Sequence, residues 1–98
     1  SSPDMRPATL TELALLARVL VRAERKDRFA LAAKILTEVE GAAAHLRSTG
    51  RSDPVFGDGS LMSRCLTLSP VSEPLATDPD FLSAMIIACK ALHDHSKS

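Results

Sequence analysis

Ninety-eight residues make one domain at most, near the lower size at which a single chain can enclose a sufficient core by itself. Hydrophobic residues reach 45%, but only Phe29, Phe56 and Phe81 are aromatic, so the interior must be built from Leu, Ala, Val and Ile, a palette that favours helix packing. Twelve basic side chains against twelve acidic ones exclude the strongly cationic surface of a stand-alone nucleic-acid binder, and no run of about 18 apolar residues argues for a membrane span.

The charge is unevenly divided. Residues 1–51 hold nine Lys/Arg against six Asp/Glu, while 52–98 hold three against six, so the halves carry plus three and minus three. They can attract one another within a chain or between chains. Cys65 and Cys89 lie inside apolar helical patterns without metal-ligand or redox spacing, and no secretory signal is present. Both thiols are expected in the core and the chain in the cytoplasm.

Ser1 to Asp4, ahead of Met5, read as an expression remnant, leaving 5–98 as a single helical domain. Thr9 and Glu12 have the spacing of a capping box, which starts a helix at Leu10. From Leu10 to Ala23 the pattern is apolar around most of the circumference. Leu13, Ala14, Leu16, Ala17, Val19, Leu20 and Val21 leave Thr11, Arg18 and Arg22 as a narrow polar strip. A helix of that kind must be covered on several sides, and the chain has few other elements to do it. Neighbouring copies of the chain are therefore expected to share the covering, with Leu16 and Val19 between subunits.

The charged run Arg22, Glu24, Arg25, Lys26, Asp27 and Arg28 interrupts the apolar pattern, and Asp27 is placed to cap a second helix. That helix carries Phe29, Ala32, Ile35, Leu36, Val39, Ala43 and Leu46 on one broad face and Lys34, Glu38 and His45 on the other. No Gly or Pro enforces a break, so one continuous rod to about Arg47 is the alternative. Apolar faces out of phase across the run favour a hairpin over 10–48. Small residues such as Ala32 and Ala43 mark a close helix approach, within the hairpin or between subunits.

Gly50 stands where helices stop, and Asp53-Pro54 with Gly57-Asp58-Gly59 reads as a loop. Ser60 then caps a short helix over 60–67, with Leu61, Met62, Cys65 and Leu66 in helical repeat. Pro70, Pro74 and Pro79 follow in a stretch expected to run extended over the surface. Thr77 or Asp78, with Pro79 at the first helical position, opens a last helix over 79–94 whose buried side is expected to be Phe81, Leu82, Met85, Ile86, Cys89 and Leu92. Nothing alternates with a period of two. The fold class is all-α: a helical hairpin, a short helix and a C-terminal helix, expected as an oligomer.

No residue grouping carries catalysis, and no cofactor or metal is expected. Cys89 and His93 are four apart, but no second pair at ligand spacing accompanies them, and His93 and His95 point to different sides of a helix. Gly57-Asp58-Gly59-Ser60 superficially suggests a phosphate-binding turn, yet no strand precedes it and no Lys follows, so it reads as a turn with a helix cap. Ser60 has no nearby His to activate it. Arg18, Arg22, Arg25, Lys26 and Arg28 cluster near the hairpin tip. Repeated around an oligomer they would form a phosphate-contacting ring; alone, with Glu24 and Asp27 beside them, they read as a solvated turn.

Met5-Arg6-Pro7-Ala8-Thr9-Leu10-Thr11-Glu12-Leu13, the hairpin after it, and Phe56-Gly57-Asp58-Gly59-Ser60-Leu61-Met62 together resemble the small terminases encoded in alphaproteobacterial gene transfer agent clusters. The resemblance implies a ring-forming, non-catalytic adaptor that presents DNA to a large terminase subunit, which supplies ATP hydrolysis and cutting. Phage small terminases generally carry a DNA-binding helix-turn-helix ahead of their oligomerising helices, and this chain has room for only one such unit. The resemblance therefore implies weak, non-specific DNA contact. A helix-turn-helix regulator is the rival reading, but the second helix offers chiefly Lys34, Thr37, Glu38 and His45 toward base edges. A module that binds a partner's amphipathic helix is the third.

Overall fold

The structure is a computed structural model and describes residues 8–52, 57–72, 74–75 and 77–97. The expected capping box forms at the start of α1 (Leu10–Leu20): the Thr9 hydroxyl accepts from the Glu12 amide at 3.2 Å, and the Thr9 amide donates to Glu12 Oε1 at 3.0 Å. Glu12 does more than its spacing announced. Its second oxygen accepts the Met62 amide at 3.0 Å, so one buried carboxylate serves the first turn of two helices.

The chain breaks after α1, as the phase change across the charged run implied. A 3-10 turn at Arg25–Asp27 leads into α2 (Arg28–Thr49), which ends at Gly50 in the left-handed conformation. Asp27 occupies the cap position, but its side chain makes no capping bond. The Asp58 carboxylate then accepts the Ser60 amide at 3.0 Å, and the Ser60 hydroxyl accepts from Ser63 to start α3 (Leu61–Thr67). Gly59 has φ +87°, and a Cβ there would stand 2.7 Å from the backbone of Ala43. Only glycine lets this loop lie so close on α2. The turn-and-cap reading of that segment is what forms.

Asp78 caps α4 (Pro79–Ser96) with Pro79 in its first turn, as the sequence indicated. The rest of α4 departs from expectation. It packs more extensively on α1 and on α2 than those two pack on each other, so the hairpin arms are held by a third helix between them. The residues it buries most deeply are Ala84, Ala88 and Ala91. Phe81, Met85, Ile87 and Leu92 are partly buried beside them, while Leu82, Ile86 and Cys89 face outward. The helix is thus turned by about 100° from the face its largest side chains implied. A helix seated between two others must approach both closely, and alanines permit that approach where leucines would hold the axes apart.

The interior is assembled from all four helices: Leu16 and Leu20 from α1, Ile35, Leu36 and Val39 from α2, Leu61 and Cys65 from α3, and the α4 alanines. Among the described residues no helix is long and apolar enough to cross a membrane. The all-α class holds.

Candidate interaction surface

The basic cluster separates into side chains that hold the fold and side chains that face water. Arg28 is only 3% exposed. Its Nε donates to the Ala23 carbonyl at 3.1 Å, Nη2 donates to the Val21 carbonyl at 3.2 Å, and the fork meets both Asp80 oxygens at 2.9 and 3.2 Å. It fastens the end of α1 and the start of α4 to the start of α2. Hydrogen bonding from Arg28 holds the Asp80 carboxyl below the usual aspartate value, and the charges of Arg28 and Arg25 add to this against the opposing effect of burial. Arg25 joins the same carboxylate at 3.4 Å.

Arg18 and Arg22 anchor the proline-containing segment after α3. Nε of Arg18 donates to the Val71 carbonyl at 2.9 Å, and Nη1 of Arg22 donates to the Ser69 carbonyl at 3.1 Å. Lys26 lies 3.5 Å from Glu24, with both ends exposed. Of the five cations singled out from the sequence, Arg22, Arg25 and Lys26 are therefore the three on an exposed surface, and each also has an acceptor from its own chain.

Leu16 and Val19, expected between subunits, and Ala32 and Ala43, expected either there or within the hairpin, all lie inside one chain. Their covering comes from α2, α3, α4 and, for Ala43, the Gly59 loop. Any contact between copies in this fold has to use other side chains. Those on offer follow from the rotation of α4: Leu82 is 46% exposed, Ile86 is 69% exposed, and Cys89 and His93 continue the same outer line at helical spacing. Met62 and Leu66 make a second, shorter apolar pair on α3.

Cys89 is a correction to the expected core thiol; it is exposed, whereas Cys65 is buried and its thiol is pushed up to about 12, chiefly by desolvation. His95 meets Glu40 at 3.0 Å while His93 points to solvent, so the histidines do diverge. Among the described residues no group of His, Cys, Asp and Glu is arranged to hold a metal ion. Sequence reasoning missed the Arg64 to Glu38 ion pair, 2.9 Å long, that ties α3 to α2. Nothing in local spacing signals a pairing across so long a stretch of chain.

These features define a class: a small all-α protein that, among the described residues, leaves aliphatic side chains exposed on the outer face of α4 and on α3. The chain belongs to the family described as a domain of unknown function (DUF7742), which matches residues 6–92. No curated protein and no solved structure matches it.

Proposed function

We propose that this protein is a non-catalytic helical adaptor that associates with copies of itself through the outer face of α4 and serves phage-like DNA packaging as a small terminase does. The observation that carries the self-contact is the rotation of α4, which turns alanines inward and presents Leu82 and Ile86 to solvent. Paired aliphatic side chains one turn apart on a helix are a ready seam for another helix. The packaging role rests on the resemblance of the Met5–Leu13 and Phe56–Met62 segments to gene transfer agent small terminases. In that role the chain hands DNA to a large terminase subunit, and its own DNA contact is weak and non-specific, made by Arg22, Arg25 and Lys26.

Gel retardation at low salt tests the DNA part. Replacing Arg22, Arg25 and Lys26 together with alanine is expected to weaken DNA binding and flatten its salt dependence without changing the oligomer. Retardation identical to that of the parent overturns the assignment. A helix-turn-helix regulator draws no support from the geometry, because the start of α2, where a recognition helix would read bases, has Arg28 buried against Asp80.

A further inference from the structure

One hollow in the fold lies away from the α4 outer face. The first two turns of α1, the start of α4 and Pro74 enclose a trough of about 370 Å³. Ala14, Leu15 and Phe81 line it with apolar surface, and Leu10 stands at its edge 83% exposed. Leu75, next to Pro74, is 77% exposed. Arg18 brings a cation to the same trough, two helical turns along α1 from Leu10.

Nε of Arg18 is held by the Val71 carbonyl, which fixes the guanidinium in place. Among the described residues its two terminal nitrogens meet no acceptor. The trough thus combines an apolar floor with an anchored cation whose hydrogen-bonding fork is open. Charge complementarity selects a carboxylate-bearing occupant. The open edge, with Leu10 exposed on it, selects a long one rather than an enclosed small molecule.

The spacing gives the occupant its form. Leu10 to Arg18 spans about 12 Å along α1, the length over which a docked helix presents apolar side chains at i and i+4 and a third group at i+7 or i+8. We propose that this trough docks an amphipathic acidic helix of a partner protein, its two apolar side chains seated on Ala14 and Phe81 and its carboxylate paired with Arg18. This rests on the adaptor reading, of which it is the partner-binding half, and is independent of the self-contact on α4.

The test uses the full chain and a fluorescein-labelled Ala/Gln-rich peptide about sixteen residues long, enough for a marginal helix, carrying Leu at i and i+4 and Glu at i+7 and i+8. A second peptide has Lys in place of both Glu. Fluorescence anisotropy is expected to show saturable binding of the acidic peptide, weakened as salt rises, and about tenfold weaker binding of the Lys peptide. Ala14→Glu places a carboxylate in the trough and is expected to reverse that preference, with helical circular dichroism unchanged. Leu10→Ser, at an exposed position, keeps the test decisive should Ala14→Glu fail to fold, and is expected to weaken the acidic peptide severalfold. Absence of saturable binding, equal binding of the two peptides, or a folded Ala14→Glu protein that still prefers the acidic peptide overturns the proposal. Failure of self-association registers separately, as a single-chain mass with peptide discrimination intact.

Discussion

Single side chains in this protein hold junctions that no local pattern describes. Arg28 joins three helices through two carbonyls and one carboxylate, and its removal takes that donor from two part-buried carbonyls and leaves Asp80 with Arg25 alone. Arg28→Met is expected to cost about 2–4 kcal/mol, read as a lower urea midpoint with an unchanged slope. Asp80 makes the pH dependence testable. Its folded value is depressed, so the stability it contributes is present above the ordinary aspartate value of about 3.9 and is lost as pH falls through the folded one. Melts at about pH 5 and about pH 3 should show a larger acid loss for the parent than for Asp80→Asn. Glu12→Ala removes the acceptor of two helix starts and is expected to cost about 2–3 kcal/mol. The thiols divide by burial: an aromatic disulfide reagent should modify Cys89 in the folded single chain, more slowly where a second copy covers the outer face of α4, and reach Cys65 only on unfolding.

At the scale of elements, the helix starts were legible because capping is a local affair. Thr9 with Glu12, Ser60 ahead of Leu61, Asp78 with Pro79 and Gly50 as a stop each act within a few residues of themselves. Orientation was not legible in the same way. The face of α4 was assigned from its largest apolar side chains, but the inward face was decided by what two neighbouring helices allow, and that is a property of the whole packing. The same blindness placed Leu16 and Val19 between subunits, because nothing local announced that α4 would lie across the hairpin. The rotation predicts opposite outcomes at adjacent positions. Ala88→Leu overpacks the crossing and is expected to cost about 1–3 kcal/mol, whereas Ile86→Ser, on the outer face, should stay within about 0.5 kcal/mol of the parent fold when both are compared at a dilution that leaves them as single chains. Equal effects on thermal unfolding would contradict the assigned orientation.

For the molecule as a whole, one chain covers the apolar side of α1 beyond Leu10 by itself, and exposed apolar surface lies instead on α4, where Leu82 and Ile86 remain outside. Charge takes part as well, since the basic first half and the acidic second half meet within the chain at Arg28 and Asp80. What is left for other molecules is an aliphatic line on α4 and a trough beside α1 with Arg18 in it. The first suits a copy of the chain and the second an acidic helix. Native mass spectrometry of the parent beside Ile86→Glu weighs the central claim most directly. The account predicts a multiple of the chain mass for the parent and a smaller assembly or single chains for the variant, with helical circular dichroism retained in both. A parent found only as single chains, or an Ile86→Glu protein assembled like the parent, would contradict it.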